Sequence, residues 1–232
     1  MVDHTKGLIA ASRESSVKSA LGSIAEASLD TVISTMNDNE LLKDIPIIGS
    51  LIAVVKGVSA INNAHTLRKF ANFIGVINEL SETEAEQLQS HLSNEKNQKK
   101  IIEETILYLD RYHNELKAKL LGQLFKATFL TKSFTSDEYN TLLFSIEQIH
   151  PYIGIPTLKD YYNLLKRVNA ESDPSQKTKI KEESAKINFQ PLMSTGLLDL
   201  PIGGNNFYKG SATMNEFGQR FYENVVQKTN LT

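Results

Sequence analysis

Residues 44–63 read DIPIIGSLIAVVKGVSAINN and form the most apolar segment of this 232-residue chain. The fold depends on whether this segment enters a membrane, contacts a partner or fills the protein's own core. Its uncharged run from Ile45 to Val55 ends at Lys56, whereas a helix that spans the hydrocarbon core needs about 20 mostly apolar residues. The polar residues that follow Lys56 would be costly in lipid. We therefore do not expect a constitutive transmembrane helix.

Side-chain size within the same segment predicts a helix at the centre of a bundle. Small residues recur every three or four positions, at Gly49, Ala53, Gly57, Ala60 and Ala64. Such a stripe lets a second helix approach closely, and large apolar residues cover much of the remaining circumference, as in a central helix. Two alternatives stay open. Segment 45–61 leaves the bundle and inserts into a membrane when triggered, or its large side chains contact a partner. The candidates for the partner or membrane contact are Ile48, Leu51, Ile52, Val55 and Val58.

The amino-acid composition excludes several kinds of functional site and favours one location. The chain has no cysteine, which removes thiol nucleophiles, thiolate metal sites and disulfides, and which fits a reducing compartment. Lys plus Arg number 25 against 27 Asp plus Glu, whereas a protein that binds nucleic acid mainly through its phosphates is normally basic. The first residues lack the continuous apolar core of a secretory signal peptide. We therefore expect a cytoplasmic location.

Helical periodicity dominates the chain and predicts a mainly α fold. We predict an N-terminal amphipathic helix over residues 1–36, a multi-helix bundle over 37–155 and a C-terminal module over 156–232. Three apolar stripes with helical spacing support the bundle: Leu67, Phe70, Ile74, Ile77 and Leu80; Leu116, Leu120, Leu121, Leu124 and Phe125; and Tyr139, Leu142, Leu143, Ile146 and Ile149.

Cap signals mark several predicted helix starts. A Ser or Thr three residues before a Glu can form a capping box, in which each side chain binds the other residue's backbone amide. The pairs with this spacing are Ser81 with Glu84, Thr135 with Glu138 and Thr213 with Glu216. Asp173 followed by Pro174 predicts another helix start, because proline suits the first helical position.

The last third of the chain resembles the end of a winged-helix domain. A helix, the residues Gly196-Leu197-Leu198, a Gly-Gly turn, a second short strand and TMNEFGQRF at 213–221 follow in that order. The resemblance implies a small winged-helix-like module with a short β-hairpin, although Gly218 lies five residues after Thr213 rather than the three of the family pattern. Its recognition helix would be INFQPLMSTG at 187–196, which lacks Arg and Lys. We therefore favour packing or protein contact over DNA binding.

Two carboxylate–histidine pairs, Asp110 with His113 and Glu147 with His150, have the spacing found in ferritin-like di-iron bundles. The two further helices that such a site needs have apolar inner faces, so surface or capping histidines are the favoured interpretation. The sequence also lacks a Gly-x-Ser-x-Gly elbow and a Gly-Lys-Ser/Thr phosphate loop. We therefore predict a non-enzymatic protein without metal, cofactor or catalytic residues.

Two weaker likenesses cover the bundle. LLGQLFKATFLTKSFTSDEYNTLLFSIEQI, within residues 101–150, resembles TerB-like helical domains, although residues 130–133 stand where that family has an Asp-Gly turn. The whole chain is similar to uncharacterised bacterial helical proteins with an IPIIG-type segment. Neither likeness implies an activity.

The favoured function is an interaction or regulatory protein that acts through helix-face contacts with another protein or itself. The alternatives are a membrane-active effector that exposes residues 45–61, and a nucleic-acid-binding accessory protein that uses the C-terminal module.

Overall fold

The computed structural model describes residue 19 and residues 22–25, 58–96, 98–201 and 212–229, with the helical backbone alone for 58–63. The chain is mainly helical and has a small two-stranded sheet near the C-terminus, so the predicted fold class is confirmed. It forms two compact units, which divide between Asn140 and Thr141. The predicted domain boundaries, at residues 36/37 and 155/156, stay predictions. Residues 22–25 are helical and Ile24 is buried, while the remainder of the predicted N-terminal helix lies outside the described residues, apart from residue 19.

The first unit is a bundle of α-helices. Its elements are α1 Val58–Asn78, α2 Glu82–Ser93, α3 Gln98–Arg111, α4 Glu115–Phe129 and the start of α5 Ser136–Gln148, which continues into the second unit. Both predicted capping boxes in this unit are confirmed. At the start of α2, the Glu84 amide donates to Ser81 Oγ at 3.3 Å and the Ser81 amide donates to Glu84 Oε2 at 2.8 Å. Thr135 and Glu138 make the same reciprocal pair before α5.

Among the described helices of the bundle, α1 and α4 make the most extensive contact. Arg68 of α1 lies 3.2 Å from Glu115 at the start of α4, and Glu79 just after α1 lies 3.9 Å from Lys126 near the end of α4. The contacts advance along both helices in the same direction, so α1 and α4 run parallel. Between them in sequence, α2 and α3 form the long connection that parallel neighbours require.

An aromatic cluster fills the space beside this pair. The Phe125 ring centroid lies 5.6 Å from Phe73, 4.8 Å from Phe129 and 6.1 Å from Tyr139. Tyr139 is fully buried, and its hydroxyl lies 2.7 Å from Thr105 Oγ1 on α3. Burial is the main cause that raises the Tyr139 pKa, because a phenolate is poorly solvated there. This hydrogen bond joins α3 to α5 inside an otherwise apolar core.

The second unit combines helices with a short hairpin. Its elements are the remainder of α5, α6 Gly154–Ala170, α7 Pro174–Glu182, the 3₁₀ turns Glu183–Lys186 and Gln190–Leu192, β1 Leu198–Asp199, β2 Thr213–Met214, α8 Glu216–Phe221 and a π-helical turn Tyr222–Val226. The strands pair antiparallel, with Leu198 opposite Met214. The predicted cap of α7 is confirmed, because Asp173 Oδ1 accepts a hydrogen bond from the Ser175 amide at 2.8 Å.

The predicted capping box of Thr213 with Glu216 is wrong. Thr213 belongs to β2, and the N-cap of α8 is Asn215, whose Oδ1 accepts a hydrogen bond from the Gly218 amide at 2.7 Å. A helix cannot start before the strand pairing ends, so the cap moves two residues along the chain. Position 218 requires glycine, because a Cβ there would overlap the backbone oxygen of Leu197.

Candidate functional site

Most of the predicted contact and packing residues lie outside the described part of the chain. Those residues are Ile48, Gly49, Leu51, Ile52, Ala53, Val55 and Gly57. Val58 and Ala60 belong to α1, but only their backbone is described. Ala64, the last member of the small-residue stripe, is fully buried in α1. The role of segment 45–61 therefore stays a prediction. Among the helices that the structure describes, none is long and apolar enough to cross a membrane.

A group of exposed apolar side chains lies in the second unit. Phe144 is 45% exposed, Tyr152 73%, Ile153 54% and Met193 46%, whereas the other large apolar side chains described in this unit are at least partly buried. We call these four residues the apolar patch. Scattered exposed apolar residues are normal, but a contiguous group marks an interaction surface. The question is therefore whether the fold brings the four together.

They come from three segments that contact one another. Helix α5 ends at Gln148, and the turn that carries Tyr152 and Ile153 leads directly into α6. In that turn the Gly154 amide donates to the His150 carbonyl oxygen at 2.7 Å. An ideal Cβ at Gly154 would lie 3.5 Å from Leu192 Cδ2, so the turn packs against the segment that carries Met193.

Helix α5 contacts the same segment. Ser145, next to Phe144, donates from its Oγ to the Thr195 carbonyl oxygen at 2.7 Å, and Ser145 is fully buried. Thr195 is also buried, and its own hydroxyl donates to the Leu192 carbonyl oxygen at 2.7 Å. Gly196 then adopts a φ of +71°, a left-handed conformation that suits glycine, and turns the chain toward β1. The backbone around the apolar patch is therefore fixed by buried hydrogen bonds.

Two of the three segments that carry the apolar patch are free of charged residues, whereas on α5 Glu147 lies three residues after Phe144. Residues Gln148–Leu158 and Ile187–Leu198 contain no Asp, Glu, Lys or Arg, although such residues make up 22% of the chain. His150 is the one histidine in these two segments, and its ring centroid lies 6.1 Å from that of Tyr152. The cores of protein interfaces are depleted in charge and enriched in aromatic residues and Met. The composition of these two segments is therefore that of an interface core.

Sequence reasoning missed the apolar patch, although one signal pointed to part of it. The predicted apolar stripe of α5 is confirmed as its inner face, because all five members are buried: Tyr139, Leu142, Leu143, Ile146 and Ile149. Phe144 lies off that stripe, so the helical period places it on the outer face. Met193 could not be assigned to the same surface, since only tertiary contacts bring its segment to α5.

A cleft of about 410 Å³ lies in the first unit. Its lining residues are Asn94, Glu95, Lys96, Lys100, Ile101, Glu104, Ser136, Asp137 and Asn140. Glu95 accepts a hydrogen bond from Ser136 Oγ at 2.8 Å and lies 3.7 Å from Lys132. The Asn140 amide oxygen is buried without a hydrogen-bond partner among the described residues. A single amide oxygen is not the convergent set of groups that a ligand or catalytic site needs.

Asp110, a member of one of the two carboxylate–histidine pairs, takes part in a structural contact. Asp110 Oδ1 accepts a hydrogen bond from Thr66 Oγ1 at 2.9 Å, which joins α3 to α1. His91, which belongs to neither pair, lies next to a helix-terminal carbonyl, with its Nδ1 3.0 Å from the backbone oxygen of the last residue of α4. Within the described ranges, no three His, Cys, Asp or Glu side chains lie close enough together to hold a metal ion.

The segment that matches a recognition helix has a different form here. Between α7 and β1, a stretch described without gaps, the chain forms only the two short 3₁₀ turns. Helix α7 has no buried residue and carries Lys177, Lys179 and Lys181. The adjacent Glu183 pairs with Arg167 through two hydrogen bonds of 2.7 and 2.9 Å, and this pairing is the main cause that lowers the Glu183 pKa.

Comparison of the chain with protein-family models, with curated proteins and with solved structures found no match.

Proposed function

We propose that this chain is a non-enzymatic interaction or regulatory protein, and that its apolar patch is the surface on which a protein partner docks. The observation that carries the proposal is the exposure of Phe144, Tyr152, Ile153 and Met193 on three segments that contact one another. We also propose a cytoplasmic location, because a chain without cysteine suits a reducing compartment.

The physical case is the cost of leaving these side chains in water. Burial contributes about 25 cal/mol for each Å² of apolar surface removed from water. Aromatic side chains carry much of the energy of interfaces, because they are large and lose few rotamers on docking. Tyr152, the most exposed of the four, is well suited to act as an anchor. The fixed backbone beneath it lowers the ordering cost of binding.

The two alternative functions have less support. A membrane-active role depends on residues 45–61, and flotation with liposomes at neutral and acidic pH would test it. A nucleic-acid role would use the winged-helix-like C-terminal module. In that module Lys177, Lys179 and Lys181 provide positive charge, but a 3₁₀ turn stands where the family has its recognition helix. A gel shift that weakens steeply with salt would support this role.

Photocrosslinking from within the apolar patch tests the interaction proposal. A benzoylphenylalanine introduced at Tyr152 should form covalent adducts when cells that contain the full chain are irradiated, and mass spectrometry identifies the captured protein. The matched control is the same group at Leu107, a 54%-exposed apolar side chain on α3 in the first unit. We expect adducts of defined mass from position 152 and not from position 107. An absence of adducts at 152, or the same adducts from both positions, would contradict the proposal.

A further inference from the structure

We draw no further inference here: the strongest candidate, the cleft of the first unit between the start of α3 and the start of α5, carries nothing, because among the described residues its one buried polar atom without a hydrogen-bond partner, the Asn140 amide oxygen, belongs to a residue that is only partly buried, and a single such atom does not make a binding site.

Discussion

The close approach of α1 and α4 predicts opposite effects for one substitution at two glycines. Gly122 lies on α4 against α1, and an ideal Cβ there would lie 2.8 Å from Val76 Cβ and 3.0 Å from the Phe73 carbonyl oxygen. Neither obstacle is the flexible end of a side chain, so one of the two helices must shift. Gly75 lies on α1 and is exposed, and its added Cβ would meet nothing within 4 Å.

The magnitudes follow from two terms. Replacing a helical Gly by Ala stabilises the folded state by about 0.5–1 kcal/mol, because glycine loses more backbone freedom on folding. Forcing an extra methyl group into a tight contact costs about 1–3 kcal/mol. Gly75→Ala should therefore stabilise the first unit by about 0.5–1 kcal/mol. Gly122→Ala carries both terms and should be less stable than Gly75→Ala by about 1–3 kcal/mol.

Urea denaturation followed by far-ultraviolet circular dichroism measures the difference. With an m value of about 2 kcal/mol/M, the midpoints of the two variants should differ by about 0.5–1.5 M. Hydrogen exchange of peptides from α1 and α4 shows whether the loss is local to this pair. If Gly122→Ala stabilises the chain as much as Gly75→Ala does, the two helices do not approach as closely as described, and the reasoning is refuted.

Three further predictions concern buried hydroxyl groups and a helix cap. Tyr139→Phe should lower the free energy of unfolding by about 1 kcal/mol and Thr105→Val by about 1–3 kcal/mol. The second loss is larger because valine leaves the buried Tyr139 hydroxyl without its hydrogen-bond partner. The double variant should lose less than the sum in urea denaturation; additive losses would show that the two groups are not coupled. Asn215→Ala should lower the free energy of unfolding by about 1 kcal/mol through loss of the α8 cap, whereas Thr213→Ala should have little effect. Equal losses in the two variants would indicate that Thr213 is the cap after all. Burial raises the pKa of Tyr161 on α6 from its ordinary 10 to about 12. The contribution of Tyr161 to stability is therefore present below pH 10 and is lost as the pH rises to about 12. A Tyr161→Phe variant that loses as much stability over that pH range as the unmodified chain would contradict this assignment.

The helices of the first unit were largely predictable because their signals are local. The capping boxes before α2 and α5 satisfy backbone amides within a single turn, so three-residue spacing in the sequence is sufficient evidence. The apolar stripe of α5 was equally clear, since side chains three and four residues apart share a face. The cap of α8 was mispredicted because Thr213 has a local signal of the same kind, yet strand pairing with Asp199 takes it away from the helix.

The candidate site was less predictable than the fold. The sequence singled out an apolar segment at 45–61 as the contact surface, by its composition alone. The apolar patch includes residues that are 49 positions apart, from Phe144 to Met193, and the contact between their segments depends on buried bonds such as that of Ser145 with Thr195. Composition detects an apolar run, but it does not detect single apolar residues that different segments bring to one surface.

By itself the sequence determined the helical class, most of the helix starts described here, the short hairpin and the charge-free character of Gln148–Leu158 and Ile187–Leu198. These properties depend on backbone hydrogen bonds and side-chain periods within a few residues. Only the tertiary structure decided that α1 and α4 run parallel, that Gly122 lies at their contact, and that the three segments carrying the apolar patch contact one another. An apolar stripe specifies which face of a helix is buried, but many faces are equally apolar. Which two faces meet is determined by the fit of their shapes and by the connections between them.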